Sequence, residues 1–187
     1  MLNRFIRSAS ELTGQDYLGH TMVQKIALAQ HFGIPTPLLD WSHSPYVAAY
    51  FAVADPRLEE NSDVTFSIYA LNASSFPATH PHESEEESLR DSIDLCQFID
   101  TSAFFSRRIA RQMGCFTYQT FPGCLREWLS TRSEISVPFR IYSVSGSRWQ
   151  ILRELELMGI VGGNLFDDMD HLARDVIMSE LMNSQKC

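Results

Sequence analysis

The stretch LAQHFGIPTPLLDWSHSPYVAAYFAV, Leu28 to Val53, decides the fold because it closes one apolar helix and opens another. Pro35 and Pro37 restrict the residues before them to extended conformations, so the first of these helices cannot continue past this point. The letters TPLLDW between the helices predict a short buried strand or an extended link. Ser44 and Pro45 then predict an N-cap and a first-turn proline for the helix YVAAYFAV.

The flanking sequence continues this mixture of helices and strands. Thr21 followed by Gln24 predicts a capping box at the start of the helix TMVQKIALAQHF, and Gly33 suits its C-terminal stop. The segments DVTFSIYAL and EISVPFRIYSV alternate as half-buried strands do, whereas Ser147 to Met158 and DDMDHLARDVIMSELM have helical spacing. Strands spaced irregularly among helices predict an α+β fold with small mixed sheets and flanking helices.

Length, charge and cysteine content limit the class of protein. The 187 residues predict a single domain, 1–187, with an acidic solvated loop at 78–92. A net charge of -8 argues against an extended nucleic-acid surface, and no apolar run is long enough to predict a membrane span. The four cysteines follow no disulfide or zinc spacing, which predicts a reduced, cytoplasmic protein.

The polar and aromatic residues before the helix YVAAYFAV form a candidate binding site. A helix N-terminus presents unpaired backbone N–H groups that favour an anion or a phosphate. Trp41 could stack on a base or a sugar, Asp40 could bind a hydroxyl or act as a base, and Ser42 could hold a ligand. The alternative is structural, with Asp40 or Ser42 satisfying turn amides and Trp41 filling the core.

Histidine chemistry is the other candidate in this region. His20, His31, Asp40 and His43 are metal-ligand types, but their spacing fits no zinc pattern and no cysteine joins them. The sequence also lacks the Gly-x-Ser-x-Gly elbow of a serine nucleophile. A metal-dependent hydrolase is therefore the lesser alternative, and no metal site is predicted.

The segment AQHFGIPTPLLDWSHSPYVAAYFA closely resembles the signature of the FRG-domain family, which reads Gln-His-x-Gly-x-Pro-Thr-Arg-Leu-Leu-Asp-Trp-Thr before an Ala- and Phe-rich helix. The later RRIARQMGCFTY and LELMGIVGGNLFDDMDHLA are similar to the family's second and closing blocks, so the resemblance covers nearly the whole chain. The residues that match in the first two blocks are Gln30, His31, Gly33, Pro35, Thr36, Leu38, Leu39, Asp40, Trp41, Arg107, Arg108, Gln112, Gly114 and Phe116, with Ser42 where Thr is usual.

Two departures from the family pattern change what the resemblance implies. Pro37 replaces the family's Arg, and the aromatic-Arg-Gly motif that gives the family its name is absent. The letters FIRSAS near the start are similar to the helix that normally follows that motif. We therefore expect a family member without its N-terminal portion, leaving a groove or sheet edge that a partner chain could occupy.

The family layout is similar to that of ADP-ribosyltransferases of the Arg-Ser-Glu class, in which an Arg and a serine turn hold NAD and a Glu stabilises the ribosyl cation. On this mapping Ser42 falls at the serine turn, and Gln112 and Gly114 fall near the glutamate motif. Gly114 carries no carboxylate and the Arg is absent, so the resemblance implies an impaired transferase. Glu134 is a substitute carboxylate in another register.

The predicted function is therefore a nucleotide-binding module of the ADP-ribosyltransferase-like kind, with NAD as the candidate cofactor. The candidate catalytic residues are Asp40, His31 and Gln112, and the candidate cofactor-binding residues are Thr36, Trp41, Ser42 and Arg108. The alternative is a non-catalytic interaction or regulatory domain in which the same residues brace the core.

Overall fold

The computed structural model of the chain describes residues 1–55, 63–75, 78–79, 96–99, 107–121, 123–131 and 140–184. The chain divides into two compact units, and each is built from three separated segments. Unit 1 comprises Met1–Asp40, Ala73–Phe104 and Cys115–Ser136, and unit 2 comprises Trp41–Asn72, Phe105–Gly114 and Val137–Cys187. The single domain 1–187 stays a prediction.

Two helices open unit 1. Helix α1, Leu2–Thr13, ends at Gly14, whose φ of 69° is the left-handed conformation that glycine adopts without strain. Helix α2, Met22–His31, begins at the predicted capping box, in which both the Thr21 and the Gln24 side chains bond to the backbone. The two helices pack against each other, with Ile6 of α1 buried.

A small sheet and a short helix complete unit 1. The strands β1, Leu38–Ser42, β3, Ala78–Thr79, β4, Cys96–Ile99, and β5, Gly114–Gln119, form a sheet in the order β1-β5-β4-β3. Strands β4 and β5 are antiparallel, whereas β3 and β4 are parallel. The last residues of β1 and the first of β5 belong to unit 2. Helix α5, Leu125–Ser130, follows the sheet.

Unit 2 is built around helix α3, Pro45–Val53. Ser44 is its N-cap, with the Ser44 hydroxyl accepting the Val47 N–H at 3.4 Å, and Pro45 occupies the first turn as predicted. Strand β2, Asp63–Ala70, pairs antiparallel with β6, Arg140–Ser147. Helix α6, Arg148–Leu157, packs on α3 and β6. The buried core residues are Val47, Tyr50, Val53, Val64, Leu152, Leu155 and Leu165.

A buried arginine stabilises the end of helix α3. Arg148 is only 3% exposed, and its Nε–H donates to the Val53 carbonyl at 2.7 Å. Its Nη2 donates to the Asp55 carbonyl at 3.3 Å. The last carbonyls of a helix are acceptors without helical partners, and they carry partial negative charge. The guanidinium therefore caps α3 and fixes the start of α6 beside it.

Three short or terminal helices finish unit 2. These are α4, Arg107–Arg111, α7, Gly162–Phe166, and α8, Met169–Ser184. The Asp175 carboxylate of α8 accepts the Gly162 N–H at 3.1 Å and the Gly163 N–H at 2.6 Å. Asp175 thereby caps the N-terminus of α7 from the helix that follows it in the chain, and α7 and α8 pack closely together.

The α+β prediction is confirmed, with corrections to its parts. The strand expected in TPLLDW forms as β1, but only Leu38 of its residues is buried. Ala78–Thr79, the start of the predicted acidic loop 78–92, forms strand β3, and the remainder of that loop lies outside the described residues, as does Glu134. Helix α7 was not predicted, because five residues with two glycines carry no helical pattern. Within the described ranges, no helix is long and apolar enough to cross a membrane.

Close packing makes glycine necessary at position 162. A Cβ there would lie 2.6 Å from the Tyr50 hydroxyl oxygen and 3.1 Å from Asp175 Oδ1. We expect Gly162→Ala to lower the free energy of unfolding by about 1–3 kcal/mol, because the buried Tyr50 ring cannot move aside without cost. Urea denaturation measures the change. Gly146→Ala is the control, since its Cβ would meet Ile151 at an ordinary 3.6 Å. Equal stability of the two variants would contradict this packing.

Tyr50 also predicts a pH dependence of stability. Burial, and next the nearby Asp175 carboxylate, raise the pKa of Tyr50 from 10.0 to about 12. A raised pKa in the folded state favours the neutral phenol. This contribution is complete below the unfolded pKa near 10 and is lost as the pH rises towards 12.

We expect the difference in unfolding free energy between the wild type and Tyr50→Phe to shrink by about 1–2 kcal/mol between pH 9 and pH 11.5, as estimated from the size of the shift. Urea denaturation of both proteins across this range measures it. A difference that does not change with pH would contradict the burial of the phenol.

Candidate functional site

The predicted site residues do not all lie in one compact unit. Unit 1 holds His31, Thr36 and Asp40, and unit 2 holds Trp41, Ser42, Arg108 and Gln112. The predicted site residues are therefore divided between the two units.

In unit 1, Thr36 has a structural partner. Its hydroxyl donates to the side-chain carbonyl of Gln30 and accepts the Leu38 N–H at 3.3 Å. These bonds hold the turn that leads from α2 into β1. Both of its hydrogen-bonding roles are taken, so Thr36 acts as a brace of that turn.

His31 and Asp40 are the accessible members of the unit 1 group. Both side chains are exposed, although each also makes contacts within the protein. The His31 ring meets Phe32 edge-on with 4.9 Å between centroids, and Phe32 is 64% exposed. An exposed carboxylate and an exposed imidazole are open to a ligand, which suits the predicted roles without establishing them.

In unit 2, the structure brings together Ser42 and Gln112, which are 70 residues apart in the sequence. The Ser42 hydroxyl donates to the Gln112 main-chain carbonyl at 2.8 Å and accepts the Ser44 N–H at 3.1 Å. Beside this contact, the His43 N–H donates to the Met113 carbonyl at 2.9 Å. The segment before helix α3 and the turn after helix α4 therefore meet in unit 2 through a pair of neighbouring hydrogen bonds.

The Gln112 side chain has an unsatisfied polar atom at this contact. Among the residues that the structure describes, its Nε2 is buried and has no hydrogen-bond partner. The following residue, Met113, has a φ of 48°, which is the left-handed region that non-glycine residues rarely adopt. Buried amide groups are nearly always partnered in proteins, so this unpartnered donor next to a residue in the left-handed region makes Gln112 a candidate ligand contact.

Trp41 and Arg108 flank this pair in the sequence but differ in their contacts. Trp41 is half-buried and lies next to Ser42 in β1. The Arg108 guanidinium lies over the Phe166 ring, 4.5 Å from its centroid. A cation stacked on an aromatic ring uses its flat face, and its N–H groups point outwards in the guanidinium plane. Phe166 therefore holds the Arg108 guanidinium in place, and the Arg108 N–H groups point along the guanidinium plane.

A cluster that sequence reasoning missed surrounds Phe166. On this ring His171 is stacked, with centroids 3.7 Å apart and planes 8° from parallel. The His171 Nδ1 lies 2.7 Å from Asp168 Oδ1, which also accepts the His171 backbone N–H at 2.8 Å. This backbone bond, then the imidazole bond, lowers the pKa of Asp168. The sequence signal was Asp168 three residues before a histidine, the spacing of an N-cap.

The basic side chains of helix α4 are directed to this same region. Arg111 lies 3.1 Å from Asp167 Oδ1, and its Nη1 donates to the Asn164 carbonyl at 3.1 Å. With Arg108 on Phe166, two arginines of α4 hold α7 and the residue after it. These contacts account for two of the three arginines in the basic run RRIAR, namely Arg108 and Arg111.

Metal chemistry has no structural support in the described ranges. These ranges contain no group of three or more His, Cys, Asp or Glu side chains that could hold a metal ion. No disulfide bond is formed by Cys96, Cys115 or Cys124 within the described part of the chain, and burial raises the pKa of Cys96 to about 12. A thiol with so high a pKa stays protonated at neutral pH and behaves as a core residue.

Comparison with known proteins identifies one family. The family model described as FRG domain matches residues 1–61, which include α1, α2, β1 and α3. No curated protein matches the chain. No solved structure matches it either. The resemblance to the FRG-domain signature is therefore confirmed over residues 1–61.

Proposed function

We propose that unit 2 contains a nucleotide-binding site of the NAD type, centred on the contact between Ser42 and Gln112. The observation that supports this proposal is the buried Gln112 Nε2, a donor without a partner among the described residues. A phosphate oxygen, a ribose hydroxyl or the amide oxygen of nicotinamide would accept its hydrogen bond. Ser42 fixes the Gln112 backbone, which limits the positions that the Gln112 side chain can take.

The neighbouring residues supply the other contacts that a nucleotide needs. Trp41 presents a half-buried aromatic surface on which a base can stack. Arg108 is held on Phe166 with its N–H donors directed outwards, where they can bond to phosphate oxygens. Thr36, His31 and Asp40 belong to unit 1, and their roles as cofactor-binding and catalytic residues stay proposals.

Binding without efficient transfer is the chemistry that we propose. A Cβ at Gly114 would lie 3.2 Å from Ile109 Cγ2 and 3.3 Å from the Ile109 carbonyl oxygen. Position 114 therefore has little room for the carboxylate that an ADP-ribosyltransferase of this layout would need. The free thiols are compatible with the reducing cytoplasm, which is the location that we propose.

Substitution of Gln112 by Leu tests the nucleotide site directly. Leu has a similar volume but no donor, so we expect Gln112→Leu to weaken NAD binding about tenfold, the cost of one hydrogen bond. The melting temperature should stay the same or rise, because the substitution removes an unsatisfied buried group. Isothermal titration calorimetry with NAD and ADP, together with thermal denaturation, measures both effects.

Gln97→Leu is the matched control for this experiment. The Gln97 Oε1 is also buried and without a partner in the described part of the chain, but Gln97 lies in β4 of unit 1. We expect this variant to bind NAD as the wild type does. The proposal is wrong if the wild type gives no heat with either nucleotide at millimolar concentration, or if Gln112→Leu binds NAD unchanged.

A second candidate function is a non-catalytic interaction or regulatory domain in which these residues brace the fold. It is favoured by the internal hydrogen bonds of Thr36 and Ser42, whose hydroxyls each donate one bond and accept another. On this account the two hydroxyls serve stability, and no small ligand is required.

The bracing role of Ser42 predicts a graded loss of stability. We expect Ser42→Ala to lower the free energy of unfolding by about 1–2 kcal/mol, because the Ser44 N–H and the Gln112 carbonyl both lose a partner. Ser42→Thr keeps the hydroxyl and should cost less than half as much. Chemical denaturation compares the two. If Ser42→Ala is as stable as the wild type, Ser42 is not a brace, and the second candidate loses its support.

A further inference from the structure

A groove in unit 2 lies apart from the residues discussed so far. Its volume is about 330 Å³, near the lower end for small-molecule sites, and it is open to solvent. Four of its lining residues come from α6 and its N-cap, and one comes from α8. They are Ser147, Trp149, Gln150, Arg153 and Met182.

Two side chains that line this groove are apolar and are held in place by the core of unit 2. Trp149 and Met182 are both partly buried, and both pack against the core cluster of unit 2. Arg148 adds a positive charge near the indole, 6.0 Å from the Trp149 ring centroid. A broad aromatic face opposite a flexible thioether accommodates a flat apolar ligand, because the methionine side chain can adjust to its edge.

The polar lining residues have the spacing of a capping box, but the Ser147 side chain does not form its capping hydrogen bond. Ser147 and Gln150 repeat the Ser/Thr-x-x-Gln spacing of Thr21 and Gln24, which do form both capping bonds. Ser147 instead makes no side-chain capping bond with any described residue. The Gln150 Nε2 donates to Glu154 Oε1 at 3.1 Å. Ser147 and Gln150 both line the groove.

Arg153 gives the groove its charge. It is exposed, and within the described part of the chain it has no carboxylate partner, although Glu154 and Glu156 are close in sequence. Arg153 is the charged residue among those that line the groove, on a chain whose net charge is -8. An unpaired guanidinium on an acidic protein favours an anion.

We propose that this groove binds a small organic anion with a flat apolar body, such as an aromatic carboxylate or sulfonate. The apolar body lies between Trp149 and Met182, and the anionic group bonds to Arg153. The Ser147 hydroxyl serves as a further donor at the edge. This site is independent of the proposed nucleotide site, because none of its lining residues belongs to that site.

Two fluorescent dyes of nearly equal shape test the proposal. Anilinonaphthalene sulfonate is a flat aromatic anion, and N-phenylnaphthylamine is the same ring system without the charge. We expect the sulfonate to bind the folded wild type at one saturable site and to shift the indole N–H signal of Trp149 in a proton–nitrogen NMR spectrum. Arg153→Gln should weaken sulfonate binding about threefold to fivefold, as expected for one exposed ion pair.

Arg126→Gln is the matched control, since Arg126 is exposed on α5 in unit 1 and the substitution changes the net charge equally. We expect it to bind the sulfonate as the wild type does, and we expect the uncharged dye to bind all three proteins alike. Three results would overturn the proposal. The first is that Arg153→Gln binds the sulfonate as tightly as the wild type does. The second is that the Trp149 signal does not move when the sulfonate saturates the protein. The third is that Arg153→Gln loses as much affinity for the uncharged dye as for the sulfonate.

Discussion

The hydrogen bond from the Ser42 hydroxyl to the Gln112 carbonyl is the constraint on which the candidate site depends. With the adjacent bond from the His43 N–H to the Met113 carbonyl, it ties the start of helix α3 to the turn after helix α4. The turn is held with Met113 in a left-handed conformation, and the Gln112 Nε2 is buried without a partner among the described residues. A buried donor without an acceptor raises the free energy of the protein without ligand. A ligand that accepts its hydrogen bond removes this cost.

Much of the local structure could be predicted because its causes are local. The capping box at Thr21 and Gln24, the Ser44–Pro45 start of α3 and the glycine stop after α1 each involve residues within four positions of one another. The alternation in β2 likewise shows which face is buried. Such signals depend on backbone geometry and on one face being apolar, and both can be read from neighbouring residues.

The partners of the polar side chains could not be predicted, because they depend on contacts between distant segments. Ser42 was expected to hold a ligand, and it holds the Gln112 backbone. Arg108 was expected to bind a cofactor, and it is stacked on Phe166 of a helix that the sequence did not predict. The division of the predicted site between two compact units also follows from long-range contacts. Sequence spacing identified the right segments but not the geometry in which they meet.

The most direct test of the central claim observes the Gln112 side-chain amide itself. Its two N–H signals in a proton–nitrogen NMR spectrum, assigned by comparison with Gln112→Leu, are followed as NAD is added. The account predicts that both signals move and then saturate as Nε2 gains an acceptor, while the Gln97 amide stays unchanged. Signals of Gln112 that do not move at millimolar NAD would contradict it.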